Sequence, residues 1–105
     1  STWIARWAHL VPEGATVLDV ASGRGRHARF FAGRGCKVTA VDRDDEALKS
    51  LAGVAETIHA DIENGPWPFA GQTFDAVVVT NYLWRPLLPA IAQAVAPGGC
   101  LLYET

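Results

Sequence analysis

Cysteine is scarce in this 105-residue chain, charge is low, and no apolar run is long enough to span a bilayer. Cys36 and Cys100 are too few for a disulfide framework and sit in no metal-ligand spacing, so no metal site is expected. The opening stretch does not read as a secretory leader, and a reducing, cytoplasmic setting is the expectation. Nine Lys and Arg against eleven Asp and Glu leave a formal charge of −2. That balance lacks the positive field of a general nucleic-acid or anionic-membrane binder. There is no internal repeat, low-complexity tract or Gly/Ser/Pro linker. With half of its residues hydrophobic and 19 % charged, the chain has the composition of one folded domain and not of a disordered segment.

What is present is an alternation of short apolar runs and amphipathic segments. Trp3, Ile4, Trp7, Ala8 and Val11 share a helical face after a cap at Ser1 or Thr2, and Pro12-Glu13-Gly14 ends it. Residues 16–21 (TVLDVA) read as a buried strand, followed by the glycine-bearing SGRGR and a helix from Arg26 to Gly33. KVTAV (37–41) is a second strand leading to Asp42. Asp44 or Asp45 then caps a helix with Ala47, Leu48, Leu51 and Ala52 on one face, closed by Gly53. Glu56–His59 makes a short third strand and FDAVVV (74–79) the clearest one. A helix through Leu87, Leu88, Ile91 and Val95 follows, and Pro97-Gly98-Gly99 turns into a last strand, Cys100–Glu104. Strands alternating with helices predict an α/β parallel sheet covered on both faces, with its ligand site outside the carboxyl ends of the strands. Those ends carry Asp19–Gly25, Asp42, Asp61 and Asn81.

The loop Ala21-Ser22-Gly23-Arg24-Gly25 lets the backbone approach a ligand, and the helix behind it offers free N–H groups to a carboxylate or phosphate. Two ligand classes compete. Gly23 to Ala28 matches G-x-G-x-x-A, and Asp42 lies 19 residues beyond Gly23, as in a nicotinamide-dinucleotide site. Asp19, two residues ahead of the turn, would repel a pyrophosphate but favour the cationic end of an amino-acid zwitterion. Asp42 can accept from both hydroxyls of a ribose, or simply open the turn of the next helix. Asp61, with Ile62, can face an adenine, or act as a plain turn aspartate. His27 reads as a structural histidine, Arg24, Arg26 and Arg29 as a solvated basic face of which one could instead meet a ligand carboxylate, and Trp67 with Phe69 as a plug for one end of the core.

Taken in order, the motifs resemble the class I S-adenosylmethionine-dependent methyltransferases. VLDVASGRGRHARFFA (17–32) is similar to the family's glycine-rich first motif, VTAVDRD (38–44) to its second, and HADIENGPWPF (59–69) to its adenine-side segment. FDAVVVTNYLWR (74–85) resembles its substrate-facing strand and APGGCLLYET (96–105) its Pro-Gly-Gly turn and fifth strand. The resemblance implies a three-layer Rossmann-like sandwich over residues 1–105, with a mainly parallel five-stranded sheet in the order 3-2-1-4-5. It implies S-adenosyl-L-methionine as cofactor, held by Asp19, Ala21, Ser22, Gly23, Gly25, Asp42, Arg43, Asp61, Ile62 and Asn81. Tyr82 and Trp84 would stand on the substrate side, and no catalytic side chain is implied.

Two departures qualify it. Ala21 replaces the first glycine of the triplet. Asn81-Tyr82-Leu83-Trp84 also lacks the Asn/Asp-Pro-Pro-aromatic signature of base-modifying enzymes, which directs the expectation to a small-molecule or other non-nucleic-acid acceptor. A cofactor-binding scaffold without catalysis is the alternative. The family continues past its fifth strand, so the expectation is a fragment whose Leu101, Leu102 and Tyr103 edge is open to self-association.

Overall fold

Each apolar run becomes a strand in the computed structural model, which describes residues 2–82 and 84–104. The strands are β1 (Thr16–Val20), β2 (Lys37–Asp42), β3 (Glu56–His59), β4 (Phe74–Thr80) and β5 (Val95–Glu104). All neighbours pair in parallel, in the order β3-β2-β1-β4-β5. The expected order therefore stands. β1 is central, and its successive side chains enter opposite apolar clusters, Val17 one and Leu18 and Val20 the other. This two-sided burial explains why the run shows no polar alternation.

Helices complete three layers. α1 (Thr2–Trp7) runs into a tight turn at Ala8–Leu10, and its candidate cap Ser1 lies outside the described residues. Ile4, Ala8 and Val11 pack with Ala28 and Phe31 of α2 (Arg26–Gly33), and with Leu48 and Leu51 around α3 (Asp45–Lys49), on one face of the sheet. On the other face, Ile91 of α4 (Leu88–Gln93) meets Ile62, Phe69 and Leu87. Trp67, Phe69 and Phe74 stack edge-on there, at 5.2 and 5.6 Å between centroids. At the amino end of the sheet, Asp75 Oδ2 accepts from the Thr16 N–H and hydroxyl (2.9 and 3.2 Å), and the Asp75 N–H donates to Thr16 Oγ. That clip fixes the register of β1 against β4.

Three expectations are corrected. The helix begun at Asp45 does not run regularly to Gly53. From Ser50 its N–H groups bond three residues back, and the Ser50 hydroxyl donates to the Ala47 carbonyl, tightening the end into turns. Val95 belongs to no helix: it pairs with Phe74, and the chain then bulges so that Cys100, five residues on, pairs with Ala76. Gly99 is required in that bulge because a Cβ would strike the Asp75 carbonyl. The β5 edge is less apolar than expected. Leu101 is 40 % exposed, but Leu102 is buried and Tyr103 half-buried, since an edge strand bares its backbone while its side chains still alternate into the two layers. Cys36 and Cys100 are both free thiols. Among the described residues no helix is long and apolar enough to cross a membrane.

Candidate functional site

β1 ends in a loop whose backbone is left-handed at three places, Ala21 (φ 55°), Gly23 (φ 56°) and Gly25 (φ 80°). Gly25 is doubly constrained, because a Cβ would collide with the Leu51 side chain. Nothing stands within 4 Å of the corresponding point on Gly23, so open space covers that residue. Ala21 has no such licence, and a left-handed alanine costs about 1–2 kcal/mol. Strain of this kind persists where surrounding contacts hold the loop, here the Ser22 N–H on the Val41 carbonyl and the Gly25 N–H on the Ser22 carbonyl (both 3.0 Å).

Asp42, the last residue of β2, anchors the loop from the side. Its Oδ2 accepts the Gly23 N–H at 2.8 Å and its Oδ1 the Asp44 N–H at 2.8 Å. Each carboxylate oxygen keeps a second lone pair for another donor. Asp44, accepting from the Ala47 N–H at 3.2 Å, is the cap of α3. Asp42 and Arg43 form one wall of a cavity of about 230 Å³, and Ala60, Asp61, Ile62 and Glu63 form another. Tyr82, just beyond β4, closes it: its hydroxyl donates to Glu63 Oε2 (2.9 Å), and its own carbonyl accepts the Tyr103 hydroxyl (3.0 Å). Burial, then the bond to Glu63, raises the Tyr82 pKa above the ordinary phenol value, so the phenol stays protonated.

A second cavity, of about 420 Å³, opens beyond Ala21, which lines both. Ser22, Gly23, Arg24, Arg26 and His27 line it from the loop and from α2, and Thr80 and Asn81 from β4. Asn81 is itself left-handed (φ 54°), with its N–H on the Glu104 carbonyl at 2.8 Å. Two non-glycine residues with positive φ, Ala21 and Asn81, thus line the larger cavity.

The sequence profile of the family described as a methyltransferase domain matches residues 17–99. The chain belongs to this methyltransferase family. Solved structures agree in fold. Coclaurine N-methyltransferase bound to N-methylheliamine and S-adenosylhomocysteine superposes with a TM-score of 0.82 at 20 % identity, covering 97 % of this chain and 34 % of that one. TehB from Haemophilus influenzae gives 0.79 at 21 % identity, over 98 % and 40 %. A methyltransferase from Thiobacillus denitrificans in complex with S-adenosyl-L-homocysteine gives 0.75 at 20 %, over 97 % and 47 %. The present chain therefore spans a third to a half of the length of these three. No curated protein sequence matches it.

Within this methyltransferase domain, Ala21, Asp42, Arg43, Asp61, Ile62 and Tyr82 line the smaller cavity, and Ala21, Ser22, Gly23 and Asn81 the larger. Gly25 lines neither and instead lets α2 approach α3's end. Asp19 is the main correction. It is 2 % exposed and lines neither cavity. Strand alternation turns it under the loop with Val17, where it accepts the Ala28 N–H. Burial above all pushes its pKa up to about 7, with Asp42 adding to the rise and the Ala28 bond opposing it. Its carboxyl therefore lies beneath the loop, outside the residues that line the two cavities.

Asp61 lines its cavity but is also committed locally. Its Oδ1 accepts the Glu63 and Asn64 N–H groups and its Oδ2 the Asn64 amide, bonds that hold its carboxyl below the usual range. Tyr82, expected on the substrate side, stands in the wall shared with Asp42 and Asp61. Trp84 packs against the apolar cluster of α4 and lines neither cavity. Sequence reasoning missed Ala60, Glu63 and Thr80, and it assigned His27 to packing and Arg24 and Arg26 to a solvated face. Only Arg29 of that group turns elsewhere, to the Ser50 carbonyl at 2.7 Å. No local pattern marks Glu63; its partner Tyr82 lies 19 residues away.

Proposed function

We infer that residues 1–105 are the S-adenosylmethionine-binding core of a methyltransferase that acts in the cytoplasm on a small-molecule or other non-nucleic-acid acceptor. The observation that carries this reading is the Asp42 carboxylate, held by two backbone N–H groups on the wall of a cavity that continues past Ala21 into a basic one. A nucleoside bearing an amino-acid tail fits that division. Its ribose hydroxyls find the free lone pairs of Asp42, its base lies between Arg43 and the Ala60–Glu63 turn, and its tail passes over the open face of Gly23. A pyrophosphate fits poorly, because Asp42, Asp61 and Glu63 line the nucleoside side. The acceptor class is supported by the absence of an Asn-Pro-Pro-aromatic run at 81–84 and by the net charge of −2.

S-adenosylmethionine, when bound, supplies a methyl group on a sulfonium that is already a good leaving group. The chain's part is then placement more than proton transfer. Asp42 orients the sugar, and the loop at Ala21–Gly25 sets where the tail turns. Asn81, its N–H bonded to the Glu104 carbonyl, lines the larger cavity from the end of β4. No general base is needed for this step, and none is assigned. Isothermal titration with S-adenosylhomocysteine and with NAD tests the reading: the first is expected to bind in the micromolar range, the second not at all. Binding of NAD alone would overturn it.

A further inference from the structure

Two walls of the smaller cavity are anchored separately and meet through a pair of side chains. On one wall Asp61 holds its own turn. Its carboxylate accepts from the Glu63 and Asn64 N–H groups and the Asn64 amide, and its carbonyl accepts the Gly65 N–H at 2.9 Å. On the other, β5 grips the end of β4 twice. The Glu104 carbonyl accepts the Asn81 N–H at 2.8 Å, and the Tyr103 hydroxyl donates to the Tyr82 carbonyl at 3.0 Å. The wall between them is fixed as well, since the Arg43 carbonyl accepts from His59 Nε2 at 2.9 Å. The backbones of Glu63 and Tyr82 are thus set posts. Their side chains, 19 residues apart in sequence, reach toward each other until hydroxyl and carboxylate bond at 2.9 Å.

That bond differs from its anchors. It is exposed to solvent, Glu63 is an exposed residue, and Tyr82 is half-buried. Among the described residues it is the one hydrogen bond at either tip. Water replaces such a bond at small net cost, and exposed side chains change rotamer quickly. Burial, and then Glu63, raise the Tyr82 pKa, so the phenol keeps the proton it donates. A tie between fixed posts, easily broken and easily re-formed, has the makings of a fastening.

We propose that the Glu63–Tyr82 hydrogen bond is a latch across the rim of the nucleoside cavity, opening to admit or release the ligand and closing again over it. This rests on the adenosyl reading above and gives two residues a task in exchange, not in affinity. A latch that re-forms over an occupied cavity slows entry and exit alike, so its loss raises both rates and leaves their ratio unchanged. A bond that merely supports a wall acts otherwise: its loss speeds dissociation and leaves association alone.

Stopped-flow mixing of S-adenosylhomocysteine with the wild-type chain, Tyr82→Phe and Glu63→Gln separates the two. Trp67 and Trp84, packed in the same apolar cluster as Tyr82, supply the fluorescence signal. Tyr82→Phe keeps the ring and removes the donor. Both rate constants are expected to rise about tenfold, with Kd held within about twofold. Glu63→Gln keeps an acceptor without its charge, so a smaller rise in both is expected. Unchanged rate constants in Tyr82→Phe, or a change in one without the other, would overturn the latch and leave the adenosyl reading standing. If Tyr82→Phe fails to fold, Glu63→Gln decides by the same comparison. A wild-type chain that does not bind S-adenosylhomocysteine refutes the adenosyl reading and the latch with it.

Discussion

Replacing Asp42 by alanine tests the fold and the site in one experiment, because the carboxylate serves both. In the free chain it accepts two backbone N–H bonds, from Gly23 and Asp44, each at 2.8 Å. Asp42 is only half-buried, so water can reach the donors left behind. The loss should then be about 1 kcal/mol per bond, or about 2 kcal/mol of folding stability. In the complex, the same change removes a charged acceptor from the ribose. At about 1–3 kcal/mol that is a weakening of roughly five- to 150-fold in the dissociation constant for S-adenosylhomocysteine. Urea denaturation reads the first number and titration calorimetry the second.

Asparagine is not a milder substitute here. Both oxygens of Asp42 face an N–H, so an amide must turn its own NH₂ toward either Gly23 or Asp44. Asp42→Asn should therefore lose nearly as much stability as Asp42→Ala. An unchanged dissociation constant in the alanine variant would remove Asp42 from the site. Unchanged denaturation midpoints in both variants would refute its role as the anchor of the loop.

Other expectations concern the loop and the group beneath it. Ala21→Gly relieves a left-handed alanine, and after the entropy cost of glycine it should raise stability by about 0.5–1 kcal/mol in denaturant melts; a loss would show that φ 55° costs the chain nothing. Gly25→Ala meets both a positive φ and the Leu51 side chain, so about 2–4 kcal/mol should disappear. In a double-mutant cycle with Leu51→Ala, a coupling near zero would refute the collision.

Asp19 has a folded pKa of about 7 against an ordinary value of 3.8, so the native state holds a proton that the unfolded chain releases. Its contribution to stability is whole below about pH 4, declines as pH rises, and is gone above about pH 7. Asp19→Asn should flatten the pH dependence of stability across that window. A wild-type profile that rises from pH 4 to 7 and is unaltered by the substitution would contradict the buried, protonated carboxyl.

Most of the architecture follows from local signals. Thr16–Val20 and Phe74–Thr80 are apolar on both faces because a central parallel strand is covered twice, and that leaves a run no loop could carry. The stop at Gly35, with its positive φ just past the end of α2, is equally local. So is the gathering of Asp42, Asp61 and Asn81 at strand ends, since parallel strands joined by helices bring all their carboxyl ends to one side of the sheet.

Side-chain direction was decided at longer range. Asp19 stands two residues before the glycine loop, yet the pleat of β1 sends it under α2 and out of the cleft. The bond between Glu63 and Tyr82 joins turns after different strands, and nothing near either residue announces the other. Leu101 and Leu102 look alike in a linear chain, and only packing separates the exposed one from the buried one. His27 shares its helix with Ala28 and Phe31, which are buried in the core, and it borders a cavity because β4 ends beside it. Periodicity within a few residues determines strands, helices and their ends. Which atoms share a cavity depends on register between segments distant in sequence, and only the assembled sheet sets that.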